Sequence, residues 1–243
     1  VGHGDSANYI QFFAFKNKAV FQAYIALSPS LTPYMTDNLT SFLSDIKTPL
    51  FYYMATGTKD FGENRTQILE LNTKIEAIES EHLFYAFDNF EGANHYALAN
   101  QSIPKALQHV FLVYQPISRA EYKNHILPLE TSPVDYLIEK YEMIEQLFDI
   151  EKQILVNDFR AIATAINKNK TFEYFKDLAK LAREAYPDAL LNNYYMGRFY
   201  EATDNPRKAI KAYQEAYIYQ EIDGITKDDL LDRADRLKEE FGY

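Results

Sequence analysis

The chain has 243 residues, 47% of them apolar, which suffices for one large or two small folded units with a buried core. A net charge of −10 repels phosphate backbones and argues against nucleic-acid binding. The absence of cysteine excludes disulfides, thiolate metal sites and cysteine nucleophiles, and leaves the cellular compartment open. Tryptophan is also absent, and the 20 Tyr and 17 Phe are expected to fill the core and the helix interfaces.

In chain order, Val1-Gly2-His3-Gly4-Asp5-Ser6 reads as a strand running into a tight turn, and residues 7–19 then carry apolar positions at helical spacing. The short run Phe21 to Leu27, stopped by Ser28-Pro29-Ser30, predicts a buried strand. A brief helix over 40–45, a second buried strand over 49–57, an amphipathic helix over 64–80 and a third strand over 83–87 follow. A helix opened by Pro104 and running to Tyr114 closes the series. Strands alternating with helices call for a parallel sheet covered on both faces. The run His109 to Tyr114 is far too short to span a membrane, so no membrane span is expected. No signal peptide is visible. The chain has no initiator Met and starts inside a strand-to-turn motif, so it is expected to continue a longer protein whose upstream part supplies further strands.

The pattern changes near Gln115-Pro116. The expected organisation is an α/β unit over 1–115, a connector over 116–132 and an all-α region over 133–243, with helices at 133–148, 151–168, 171–186 and from Ala189 onward. Within 189–220, Gly197, Tyr200, Ala209, Tyr213 and Ala216 fall at the offsets of a tetratricopeptide (TPR) repeat, with Asp204-Asn205-Pro206 at the inter-helix turn. A weaker preceding unit closes on Ala182 and Tyr186-Pro187. This tail therefore resembles a TPR array. Such helices either bind a protein or peptide partner or serve as a structural cap, and both readings stand.

The chemistry-bearing residues lie in the first unit. Gly2-His3-Gly4-Asp5-Ser6, then Ala23-Tyr24-Ile25-Ala26-Leu27-Ser28-Pro29-Ser30-Leu31, then Gly57-Thr58-Lys59-Asp60 and Gly92-Ala93-Asn94-His95 occur in that order. Together they resemble the esterase family of α/β-hydrolases that includes esterase D and the siderophore esterases. In that family a Gly-His-Ser-x-Gly-Gly nucleophile elbow is followed by a strand ending in Ser-Pro-Ser. The resemblance covers residues 1–115 and implies the C-terminal half of an α/β-hydrolase. It implies Asp60 as the acid, with Glu63 a nearby substitute, and His95 as the base. It implies a small carboxylic ester as ligand, no cofactor, and an oxyanion donor on a loop upstream of the elbow.

Two positions depart from the family. Gly4 stands where the elbow serine belongs, so no acyl-enzyme can form there. Ser6 and Ala7 replace the usual glycine pair, and Ser6, two residues past the apex, is expected to be misaimed. The chain as written is thus expected to be an inactive relative of esterases, with binding through the esterase-like pocket or the helical tail as the alternative. Gly4-Asp5-Ser6 also opens like the GDS-type (SGNH) hydrolases. Those need an Asp-x-x-His pair, and no Asp stands three residues before any of the five histidines. The same scatter of His3, His82, His95, His109 and His125 gives no metal-ligand spacing.

Overall fold

The computed structural model describes residues 1–15 and 20–243. The chain divides into two compact units, the first comprising Val1–Tyr114 with Gln146–Asp149, the second Gln115–Glu145 with Ile150–Tyr243.

The first unit is an α/β unit built on four parallel strands in the order β1-β2-β3-β4, with β1 at Gly2–His3, β2 at Ala23–Leu27, β3 at Leu50–Lys59 and β4 at Leu83–Asn94. Its helices are α1 (Asp5–Gln11), α2 (Met35–Asp45), α3 (Gly62–Glu76) and α4 (Leu98–Val110). Side chains alternate across a strand, so each strand feeds two cores. Tyr24, Ala26, Tyr52 and Met54 join Ala7, Leu39, Leu43, Ile68, Leu71 and Ile75 from α1, α2 and α3 on one face. Ile25, Leu27, Phe51, Tyr53 and Ala55 join Leu98, Ala106 and Val110 from α4 on the other, together with Leu147. Burial on both faces explains why these strands read as unbroken apolar runs.

Three local expectations need correction. The helix expected over 7–19 is described only as α1, which ends at Gln11; residues 16–19 of that stretch lie outside the described residues. The last strand runs seven residues beyond 87, to Asn94, because a half-exposed edge strand tolerates the polar Asp88, Asn89 and Glu91 that masked it. Pro104 does not open α4, which starts at Leu98 and carries Pro104 in its interior. An interior proline costs a helix roughly 3 kcal/mol. Here the buried Leu98, Ala106 and Val110 anchor both ends of α4 on the sheet, and the Asn94 side chain accepts the Ala97 N–H at its entry (2.9 Å).

The second unit is helical. It begins with α5 (Arg119–Glu121) and a π-helical turn at Tyr122–Ile126, so much of the expected connector is itself helical. There follow α6 (Pro133–Phe148, whose last turn belongs to the first unit), α7 (Val156–Asn169), α8 (Tyr174–Ala185), α9 (Leu191–Ala202), α10 (Pro206–Glu215) and α11 (Lys227–Phe241). The buried Asp158 on α7 ties this unit together, accepting from the Tyr141 hydroxyl at 2.7 Å and from the Ile117 N–H at 2.8 Å.

Helices α8 to α11 pack each on the next. The tightest point is Gly197 on α9, where a Cβ would fall 2.1 Å from Cε1 of the buried Tyr213 ring on α10. That ring is also held by its hydroxyl, which donates to Glu201 at 2.6 Å. Gly197→Ala is therefore expected to cost about 2–3 kcal/mol by overpacking. Gly62→Ala, with open space around its Cβ at the start of α3, should be neutral or gain a few tenths of a kcal/mol. Urea unfolding of the two variants side by side checks the contrast.

Candidate active site

The four groups of interest each stand on the first residue after a parallel strand. Gly4 follows β1, Ser28 follows β2, Asp60 follows β3 and His95 follows β4. The carboxyl ends of parallel strands are where open α/β sheets gather their ligands, because the chain turns there and leaves a crevice.

Gly4 sits at φ 60°, ψ −124°, in a region that L side chains rarely adopt. The turn is enforced from both sides. A Cβ on Gly2 would fall 2.5 Å from the Ser6 carbonyl oxygen and 2.6 Å from Ala7 Cα, so strand and helix approach backbone to backbone. The Gly4 N–H donates to the Leu27 carbonyl, and the Gly4 carbonyl accepts from Ala7, Asn8 and Ser30 N–H groups. The loop after β2 is clamped in turn, since Asn8 Oδ1 accepts the Thr32 N–H at 3.2 Å.

Beyond its chain neighbours, a Cβ built on Gly4 would meet two atoms within 4 Å, Cε1 and Nε2 of His95, each at 3.5 Å. The opposite edge of that imidazole faces Asp60, with Nδ1 3.1 Å from Oδ1. The Asp60 side chain is fully buried and the His95 side chain 14% exposed. Asp60 also accepts from the Phe61 N–H at 2.9 Å and, through Oδ2, from the Thr56 hydroxyl at 2.9 Å. An ionised carboxylate only accepts, so Nδ1 carries the proton and Nε2, 3.5 Å from the Gly4 Cβ position, keeps its lone pair. Ser28 stands at φ 44° with its hydroxyl 3.0 Å from Nδ1, and it is completely buried.

The imidazole plane is fixed by stacking. The His3 and Phe61 rings lie 4.3 and 4.6 Å from it, both within 30° of parallel, and two rings so placed must occupy opposite faces. Tyr96 meets the His95 edge at 5.5 Å and, with Phe61, leaves an exposed aromatic rim. Burial and the neighbouring His95 imidazole push His3 below its ordinary 6.5, so it stays neutral at pH 7.

Burial by itself would raise Asp60, but hydrogen bonds from Ser28, the Phe61 backbone, Thr56 and His95 outweigh it and hold the carboxyl below its ordinary 3.8. A lowered native value means that Asp60 stabilises the fold fully above the unfolded value and loses that contribution as pH falls through the native one. Asp60→Asn is therefore expected to cost roughly 1–3 kcal/mol at pH 7. The gap to the unaltered chain should close as pH drops below 3.8, in urea titrations run at stepped pH.

Of the residues singled out from sequence, the structure brings Gly4, Asp60 and His95 together. Ser6 lies exposed in the first turn of α1 without a hydrogen bond to His95, and Glu63 is exposed at the start of α3 rather than taking Asp60's place. Sequence reasoning missed Ser28 and Thr56. The Ser-Pro-Ser stop signal marked the first only as the end of a strand. Among the described residues no group of three His, Asp or Glu is placed to hold a metal ion, and no helix is long and apolar enough to cross a membrane.

The chain is similar in structure to an uncharacterised protein from Capnocytophaga ochracea, at 29% identity and a TM-score of 0.82, over 98% of this chain and 68% of that one. A BES protein from Bacillus cereus aligns at 23% identity over 44% of this chain and 42% of its own, with a TM-score of 0.41. An IroE-like serine hydrolase from Shewanella oneidensis aligns at 14% identity over 75% of this chain and 58% of its own, with a TM-score of 0.48. The chain thus spans less than two thirds of the latter two proteins. No family profile matches it, and no curated protein does.

Proposed function

We propose that the first unit is an esterase-type α/β-hydrolase site that has kept its acid and base and lost its nucleophile. One observation carries this reading: the imidazole of His95, braced by the buried Asp60, brings its free nitrogen within 3.5 Å of the place where a side chain on the strained Gly4 turn would begin. That is the geometry in which a base takes a proton from a seryl hydroxyl while a carboxylate holds its tautomer. Without a hydroxyl at Gly4 the chain forms no acyl-enzyme, and the protein is a carboxylic ester hydrolase by lineage. The test is covalent labelling by a fluorophosphonate together with turnover of short p-nitrophenyl esters. Both should be gained by Gly4→Ser and lost again in Gly4→Ser/His95→Ala. Equal hydrolysis by the unaltered chain and by the Gly4→Ser variant would overturn the assignment.

Binding without turnover is the second reading. The lost hydroxyl favours it at the elbow, where a small ester could be held but not cleaved through a serine. In the helical unit a cleft of about 410 Å³ lined by Arg160, Tyr194, Asp229, Arg233 and Arg236 favours it as well. The close packing of Gly197 on Tyr213 supports a TPR-like character for these helices, and with it a protein or peptide partner.

A further inference from the structure

We propose that the cleft of the helical unit is a site for a zwitterionic small molecule, a free α-amino acid, whose carboxylate meets Arg233 and Arg236 and whose ammonium meets Asp232. The inference rests on the reading of that unit as a binding module and names its ligand. It is independent of the chemistry at Gly4 and His95.

The sequence of α11 prepares the site. Leu230, Ala234 and Leu237 form its buried side. Asp229, Asp232, Arg233 and Arg236 stand at i, i+3, i+4 and i+7, so a second stripe of the same helix is charged throughout and carries both signs. That stripe lines a cleft of about 410 Å³, together with Arg160 from α7 and Tyr194 from α9. Small-molecule sites have volumes of roughly 300–1,000 Å³.

The charges of the stripe do not satisfy one another. Asp229 and Arg233, and Asp232 and Arg236, are four residues apart, the spacing at which an acid and a base on a helix ordinarily pair. Neither ion pair is made. Both guanidiniums approach Glu201 of α9 instead, Arg233 at 3.6 Å and Arg236 at 3.8 Å. Those distances exceed a hydrogen bond. Glu201 is already engaged, since its Oε2 accepts the Tyr213 hydroxyl at 2.6 Å and a third guanidinium, Arg198, lies 4.0 Å away. Arg233 and Arg236 therefore donate no hydrogen bond among the described residues, and Asp232 has neither a hydrogen bond nor an ion pair there. The other two charged groups of the cleft are occupied. Asp229 caps α11 through Thr226, and Arg160 is bound to Asp223.

Two guanidiniums and one carboxylate are thus left open on one helix face. A guanidinium pair recognises an oxyanion, and a lone carboxylate recognises a cationic N–H donor. Neighbouring positions on a helix face lie about 5–6 Å apart at Cβ, a gap that one amino acid spans. A simple anion would enter beside Asp232 and against the field of a chain with net charge −10. A molecule with both signs on one carbon adds no net charge and answers both open groups. Arg233 is also preorganised, its guanidinium lying over the Tyr194 ring at 5.6 Å from the centroid.

The experiment is calorimetric titration of the unaltered chain with each of the common free L-amino acids, then with the N-acetyl and carboxamide forms of the tightest binder and with inorganic phosphate. At least one free amino acid should bind with a Kd on the order of 1 mM or tighter. Blocking either end of it should weaken binding about ten-fold or more, the loss of one charge-assisted contact. Arg236→Gln and Asp232→Asn, both at exposed positions without a hydrogen bond, should each weaken the free amino acid to a similar extent. The contrast between free and blocked ligands needs no variant, so it stands even if a substitution disturbs folding. A blocked form that binds as tightly as the free one, or unchanged binding by both variants, overturns the inference. If the N-acetyl form or phosphate binds as tightly, the cleft is a simple anion site, and the reading of the unit as a binding module survives. If no free amino acid, blocked form or phosphate binds, both fall for this cleft.

Discussion

Gly4→Ser is expected to hydrolyse p-nitrophenyl acetate about 10³-fold faster than the unaltered chain. Deleting the serine of a complete triad costs about 10⁶ in kcat. The resemblance places one oxyanion donor upstream of the elbow, and residues 1–243 tested by themselves do without it, which forgoes about 10²–10³. About 10³ should remain, because the Asp60–His95 pair already has the position and tautomer that the new hydroxyl needs. The same substitution should lower stability. Its φ of 60° suits glycine, and a side chain there costs on the order of 1–3 kcal/mol. A variant that gains activity while losing stability is the signature of a strained turn built to display a nucleophile. Kinetics and urea unfolding of one preparation would show both.

Gly57→Ala is expected to be the most damaging single methyl in the first unit. A Cβ there would lie 2.2 Å from the Ala93 carbonyl oxygen and 2.8 Å from its carbon. Backbone cannot swing aside as a side-chain tip can, so β3 and β4 must part at the irregularity between Gly57 and Lys59. Overpacking and the loss of ladder hydrogen bonds together should cost about 3 kcal/mol or more. That is a large share of a typical stability of roughly 5–15 kcal/mol, and it should lower Tm by on the order of 10 °C. The two strands deliver Asp60 and His95 three and two residues later. Whatever survives folding should therefore also lose the activity gained by Gly4→Ser, which the double variant would show.

Much of the first unit was legible in the chain because its strands are buried on both faces and interrupted by Pro, Ser and Gly. The edge strand β4 was read short, since exposure on its outer side lets Asp88, Asn89 and Glu91 in and erases the apolar run. The start of α4 was misread because Pro104 looks like a first-turn residue, whereas packing of Leu98 carries the helix six residues further back. At the site, Gly4, Asp60 and His95 were visible through the motifs around them. Ser28 and Thr56 were not, because a buried hydroxyl that donates to a carboxylate has no sequence pattern of its own. Only the sheet, which sets β2 beside β3, reveals what they serve.

The four groups at the strand ends have a consequence for how such a cleft can change over time. Each hangs from a separate peg on the same rigid rail, and the three pegs that carry side chains brace one another without calling on the first. On the proposed reading, a glycine at the first peg withholds a reagent without loosening the rest of the toolkit, and a single codon would supply it.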